Sequence, residues 1–311
     1  MFPSDYALQA VKGIKESFDN GVKEIMSLYG ALGIVDMYTT DQIFEIYTST
    51  ESLSGTIQLG VLEAPPSSKL EDGYSVTITE DRFGNAIELP EQVYRRDGRD
   101  STLRVSDYLM RQRNALLQDV ANRLITDYHL FFNDAFAGTF LLAPDGQPLL
   151  DGAHAWATPG AATWDNSDTQ ALDSDAIDTM ETYAGGFLDG SGKPMPISFD
   201  TIVVKKGSAA SRTAIRLFAS QITPTQIDDV NIYYGQYTIV ETPYITNPLF
   251  WFGLSTKGRF DNPMKLGIGE APTLREPIIQ NNEAIRTNCT GFWKKGIVNM
   301  PIAVYGSNGT T

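Results

Sequence analysis

The stretch from Ser106 to Phe136 contains neither Gly nor Pro, and it limits the possible folds more than any other part of the chain. Its apolar residues Leu109, Leu116, Leu117, Val120, Leu124, Tyr128, Phe131 and Phe132 recur in steps of three and four, which places them on one face of a helix. Ser106 is positioned to cap the first turn, Asp107 suits the positive end of the helix dipole, and Gly138 is a stop signal. At ~1.5 Å per residue the helix would be about 45 Å long, longer than a small domain is wide. Such a rod protrudes from a compact core or serves as the spine of an elongated one. Periodicity alone equally allows a buried helix in an ordinary enzyme.

With 311 residues the chain exceeds one compact core, so two lobes and a single extended fold are both open. The formal net charge of -14 argues against tight binding to nucleic acid or an anionic membrane, because each phosphate contact needs a Lys or Arg. A single cysteine, Cys289, excludes an intrachain disulfide framework and a multi-cysteine zinc site. The start of the chain carries Asp5 and no apolar run, unlike a secretory signal. No segment approaches the roughly 18 consecutive apolar residues of a membrane helix. A soluble protein of a reducing cytoplasm is expected.

The first segment places Leu8, Val11, Phe18, Val22, Ile25, Met26 and Tyr29 at near-heptad steps, which predicts an amphipathic helical arm broken near Asp19–Gly21. The plainer alternative is an N-terminal core helix. Met37 to Thr48 turns to strand character. Thr56–Leu62 and Tyr74–Thr79 read as two strands of a ribbon around the turn-rich tip Ala64–Lys69, with Val76 and Ile78 on one side and Phe83–Leu89 continuing it. A lone two-stranded ribbon is marginal in water, so it must lie on its own subunit or on another chain.

Beyond the long helix, residues 143–166 form an irregular loop anchored by Trp156 and Trp164. Asp173–Ala184 reads as a short helix, Pro196–Val204 as a strand, and Ser208–Ala219 as a helix with Ala214, Ile215 and Phe218 inward. Ile232–Glu241 and Pro248–Leu254 add strands to a mixed lobe at about 170–260. Thr273–Ile279, Ala284–Thr287 and Gly291–Tyr305 read as closing antiparallel strands.

This succession of arm, ribbon and spine is followed by Asn133-x-Ala135-Phe136, then Asp145-Gly-x-Pro-Leu149, Ala153-His154 and Trp164-x-Asn166. In that order the motifs resemble the major capsid proteins of tailed bacteriophages with the Hong Kong 97-like fold. Phe83–Leu89 followed by Arg96-Asp97 also resembles that family's return strand. Each motif is weak, and the collinear succession over most of the chain is specific. Ala155 stands where many members have Pro. The resemblance implies an α+β fold with an N-terminal arm and first peripheral strand (1–54), an extended loop (55–100), the spine and following loop (101–169), an axial domain (170–260) and C-terminal peripheral strands (261–311).

It further implies a non-enzymatic subunit that self-assembles through pentamers and hexamers into an icosahedral virion shell in the host cytoplasm. The shell would enclose double-stranded DNA without specific binding. No cofactor, metal or membrane is expected; a separate scaffold protein, a portal and a decoration protein are the implied partners. Because the sequence opens directly on the arm, an untrimmed N-terminus is expected. Pro65, Pro66 and Lys69 at the ribbon tip are the candidate intersubunit contacts. Some relatives join a ribbon Lys to an Asn of a neighbour, and Lys69 with Asn281, Asn282 or Asn288 supplies those parts, although a solvated Lys69 is the plainer reading. Two alternatives stand beside the capsid: an encapsulin-type compartment, and a hydrolase with paired carboxylates at 170–260.

Other chemistries find little support. Gly190-Ser191-Gly192-Lys193 ends like a phosphate loop, but Phe187 occupies the earlier glycine's place and Pro194 that of the magnesium-holding Ser or Thr. His129 reads as a packed spine residue and His154 as a hydrogen-bonding loop anchor, too far apart for a helical zinc pair. The segment Gly253–Gly258 is one residue too long for a nucleophile elbow, the acids of 165–178 lack calcium-loop spacing, and Cys289 reads as a small buried residue.

Overall fold

A computed structural model of the chain describes residues 3–50, 72–95, 105–158, 160–221, 231–256 and 261–310. In order, the elements are α1 (Pro3–Leu32), β1 (Asp36–Thr39), β2 (Phe44–Thr50), β3 (Asp72–Thr79), β4 (Asp81–Leu89), α2 (Glu91–Arg95) and α3 (Val105–Asn133). They continue with β5 (Ser167–Asp168), α4 (Ser174–Gly186), β6 (Thr201–Lys205), α5 (Ala209–Ala219), β7 (Thr238–Thr242) and β8 (Trp251–Leu254). The last are β9 (Met264–Leu274), β10 (Ile278–Ile279), β11 (Ile285–Ile297) and β12 (Val304–Ser307).

The expected spine is α3, and its inward face buries Leu109, Leu116, Leu124, Tyr128, Phe131 and Phe132. It begins at Val105, so Ser106 lies inside the first turn and is not its cap. Beyond Asn133 the chain turns on Asp134, whose carboxylate accepts from the amides of Thr139, Phe140 and Leu141, and Gly138 takes φ +57. Those bonds give an acceptor to loop amides that lie beyond the helix.

The arm is not broken, and the plainer alternative holds for it. α1 is continuous through Asp19–Gly21 and lies along the spine, burying Val11, Ile14, Phe18 and Val22 with Leu109 and Leu116. Gly21 is the point of close approach: a Cβ there would stand 2.7 Å from Leu117 Cδ2. Arg113 of the spine donates to the Ser17 carbonyl across the same contact. A glycine that reads as a helix break is instead the space into which a leucine packs.

One sheet runs β1-β9-β11-β10, with β4 on the other side of β11; β1 is parallel to β9 and the remaining pairs are antiparallel. The sequence predicts separate strands at Ala284–Thr287 and Gly291–Tyr305, yet β11 runs through the interval as one strand with register shifts between Thr290 and Trp293. A Cβ on Gly291 would lie 2.8 Å from Pro272 Cγ, so the glycine admits the neighbouring strand's proline.

The second sheet runs β5-β12-β8-β6-β7. β12 therefore leaves the C-terminal strands and completes the lobe of residues 170–260, which places part of the 261–311 segment in that lobe. Asp173 caps α4 by accepting from the Ala176 amide at 2.9 Å, and Ser208 caps α5 by accepting from the Ser211 amide at 3.0 Å. On α5, Ala214, Leu217 and Phe218 face inward, whereas Ile215 is 44% exposed, against expectation. The strand expected from Pro196 begins at Thr201, and that expected from Ile232 begins at Thr238. β6 is buried on both faces: Ile202 and Val204 meet the α4–α5 core, while Val203 meets the central core around the end of the spine.

Candidate assembly interface

β2 and β3 pair antiparallel as a two-stranded ribbon with Glu45 opposite Ile78 and Tyr47 opposite Val76. The partner of β3 in this ribbon is β2, while Thr56–Leu62 lies outside the described residues. β4 leaves the ribbon and pairs along β11 from Asp81 to Leu89.

Alternation gives the ribbon two unlike faces. Inward lie Glu45, Tyr47, Val76 and Ile78, the last only 5% exposed. Outward lie Phe44 and Ile46, 57% and 61% exposed, beside Ile43 at 69%. The outer face of β3 adds Ser75, Thr77 and Thr79, so the two large apolar groups stand on an otherwise small and polar surface.

The inner face is fixed to the body by a buried polar cluster. Lys294 of β11, with no side-chain exposure, donates to the Gln42 carbonyl at 2.7 Å and pairs with Glu45 Oε1 at 2.9 Å. Tyr38 and Tyr47 each donate to Glu45 Oε2 at 2.6 Å, and Thr40 donates to Oε1. Burial would raise the Glu45 carboxyl, but bonds from Lys294, Thr40, Tyr38 and Tyr47 prevail and bring it down to about 2. Burial, then bonding to this carboxylate, pushes both tyrosine hydroxyls up, so they remain donors. Two glycines make the room: a Cβ on Gly267 would stand 2.7 Å from the Tyr38 ring, and one on Gly296 would collide with Ile78 Cγ2.

Sequence reasoning missed this cluster and a second one. Asp127 of the spine, 2% exposed, accepts from Trp293 Nε1 at 2.8 Å and from Arg123 Nε at 3.1 Å, and pairs with Lys295 at 3.1 Å. The available signal was the Lys294-Lys295 pair inside the apolar run Gly291–Val298, since lysines in a doubly covered strand need buried partners.

The motif residues act as brackets between segments. Asn133 accepts from the Thr246 amide at 2.8 Å and donates to the Tyr244 carbonyl at 3.1 Å. His154, fully buried, bonds Asp145 at 2.7 Å and stacks on Trp164, as a loop anchor should. Asn166 donates to the carbonyls of Leu149, Pro301 and Val304 and so ties the loop to β12. His129 is packed as expected: Nδ1 meets the Ile125 carbonyl at 2.8 Å, so it carries the proton, and Nε2 accepts from Thr242 at 2.7 Å. Cys289 is buried, and burial pushes its thiol up to about 12.

In the phosphate-loop look-alike, Asp189 accepts from the amides of Ser191 and Lys193, so a carboxylate holds the backbone donors a phosphate would use. Two acids of the lobe, Asp178 and Glu181, are engaged by Tyr233 and Tyr237. Among the described residues no group of three or more His, Cys, Asp or Glu is placed to hold a metal ion. No helix among them is long and apolar enough to cross a membrane.

No protein-family model matches the chain, and no curated protein matches it in sequence. Solved structures do match. One from Mycobacterium phage Patience aligns with a TM-score of 0.52 at 12% identity, covering 95% of this chain and 87% of that one. One from Mycobacterium phage Bobi gives 0.50 at 11% identity over 89% and 88%. The fold is that of phage capsid proteins. A virus-like particle from Pyrococcus furiosus is also similar, with a TM-score of 0.49 at 8% identity over 95% and 98%.

Within this capsid fold, the expected tip contacts Pro65, Pro66 and Lys69 lie outside the described residues. Asn281, Asn282 and Asn288 are all exposed, the first two in the turn before β11.

Proposed function

We propose that this chain is the major capsid protein of a tailed bacteriophage, assembling through pentamers and hexamers into the icosahedral shell around double-stranded DNA. The observation that carries the reading is the outer face of the ribbon, where Phe44 and Ile46 stand exposed on a strand whose other face is locked to the body. A two-stranded ribbon has too little core to justify large apolar groups on its free side unless another chain covers them. Permanent assemblies commonly bury ~2,000 Å² or more per interface, and a ribbon reaching over a neighbour supplies such area with little added mass.

In this reading the ribbon is the extended loop, the spine with the β9–β11 sheet is the peripheral domain, and the second sheet with α4 and α5 is the axial domain. The ribbon tip, with Pro65, Pro66 and Lys69, touches a sister subunit. A scaffold, a portal and a decoration protein are its partners, and assembly occurs in the host cytoplasm. The net charge of -14 suits DNA that is packed in and must leave, since the shell offers few cations to hold phosphate.

Electron microscopy of the purified protein is the test. Closed shells of uniform size built from five- and six-fold clusters are expected. A monodisperse monomer at high concentration would overturn the proposal, and small shells filled with an enzyme and no genome would favour a cellular compartment.

A further inference from the structure

Charge is sorted along the chain. Between Arg123 and Lys193 there is no Lys or Arg, and Asp and Glu together occur eleven times. Between Asp200 and Asp228 the pattern inverts: there is no Asp or Glu, while Lys205, Lys206, Arg212 and Arg216 fall at the end of β6, in the turn after it and on α5. The fold turns this sorting into two unlike flanks of one lobe. Both helices cover the face of the second sheet that carries Ile202, Val204, Trp251 and Tyr305. α4 lies over β8, where a Cβ on Gly253 would collide with Met180, and beyond β8 come β12 and the edge strand β5 with Asp168. α5 lies over β6 and the opposite edge strand β7, whose Glu241 accepts from Ser211. Acid therefore collects towards the β5 edge and base towards the β7 edge.

On the acid flank Asp173, Asp175, Asp178 and Glu181 are exposed, and on the basic flank Lys206, Arg212 and Arg216 are. Their hydrogen bonds within the chain go to neutral groups, which leave each charge in place. Asp178 and Glu181 accept from tyrosine hydroxyls, Asp175 from the Ser174 hydroxyl and Asp173 from the Ala176 amide, while Arg212 donates to the Ser208 carbonyl. None of the seven has an ion-pair partner among the described residues. Ile215, 44% exposed, stands on α5 between Arg212 and Arg216 and gives the basic flank an apolar centre.

From this complementarity we infer that the α5 flank of one subunit docks on the α4 flank of a second copy, head to tail, with Arg212 and Arg216 facing Asp175 and Asp178. An isologous pairing would set like charges against each other, so the contact is heterologous and propagates as a ring or an open string. An acidic segment of another protein would answer α5 and leave the α4 flank unanswered, whereas a second copy answers both. The inference rests on the shell reading for its premise that copies meet, and adds which flanks meet and by what force.

Association of the purified full chain, followed by sedimentation velocity, tests it. A net charge of -14 makes copies repel and salt relieves that repulsion, so association that weakens with salt identifies opposite charges in contact. Association should weaken about tenfold between ~50 and ~500 mM salt. Asp175→Lys with Asp178→Lys brings the net charge nearer zero, yet should weaken association at least as much. Arg212→Glu with Arg216→Glu should do the same, and all four changes in one chain, which restore the wild-type net charge, should restore association. Circular dichroism checks that each variant is folded, and the salt series reads the contact without any substitution. Association that strengthens with salt, an α4 variant that associates like wild type, or a quadruple variant no better than either pair would overturn the inference. An α5 variant that still associates but loses polyglutamate or duplex DNA held by wild type would give the flank to a foreign polyanion and also overturn it. Closed shells that form whatever the substitutions refute this contact and leave the shell reading standing, whereas salt-sensitive rings or strings that never close do the reverse. A wild-type monomer refutes both.

Discussion

Lys294 Nζ lies 2.9 Å from Glu45 Oε1, and the lysine's side chain has no exposure to solvent. The pair joins β11 to the first residues of β2 in the ribbon. Its energetics follow from desolvation: a buried ion pair is weak evidence of net stability, but removing one partner leaves an uncompensated charge.

Glu45→Gln should therefore destabilise the subunit by about 3 kcal/mol, within the range found for broken buried pairs. The double variant Glu45→Gln/Lys294→Met should lose less than the sum of the single changes, because it removes the stranded ammonium as well. Urea unfolding of dissociated subunits measures both, and additive losses would show that the pair is not coupled.

The same carboxylate sets a pH window. Its folded value of about 2 lies below the ordinary 4.5, so the unfolded chain binds the proton first as pH falls. The contribution is fully present above about pH 4.5 and is lost between there and about pH 2. Wild type should lose stability across that interval by more than Glu45→Gln does. Parallel unfolding curves for the two proteins would refute it.

His129 acts in a higher range. Burial lowers its pKa and the bond to the Ile125 carbonyl only partly opposes this, so the native ring stays neutral below the ordinary 6.5. The unfolded histidine takes up a proton there, and stability is present above pH 6.5 and declines below it. His129→Gln, which can still donate towards Ile125, should remove that part of the slope. Thermal melts between pH 5 and 7.5 check it.

Phe44→Ser with Ile46→Ser tests the ribbon's outer face. Both side chains are more than half exposed within the subunit, so folding should change by no more than about 0.5 kcal/mol each. Assembly into shells, followed by sedimentation and microscopy, should fall steeply. Normal assembly would leave the exposed residues without a role in interfaces.

Much of the architecture was legible in the sequence because long-period patterns survive tertiary context. The spine face, the packed His129 and the anchor His154 all follow from local chemistry. One error shows that glycine's local meaning depends on what approaches it. Gly21 reads as an interruption, whereas Leu117 packs into the space it leaves. The pairing of β12 with β8 and the Lys294–Glu45 contact are long-range, and no short window of sequence carries them.

Only Glu80 separates β3 from β4, although the two strands belong to different sheets. Its amide is held by the Ile43 carbonyl at 2.9 Å. The ribbon thus has no slack at its root: a load applied to its far end is levered into β11 and, through Trp293 and Asp127, into the spine. A push at one edge of the molecule is felt along α3.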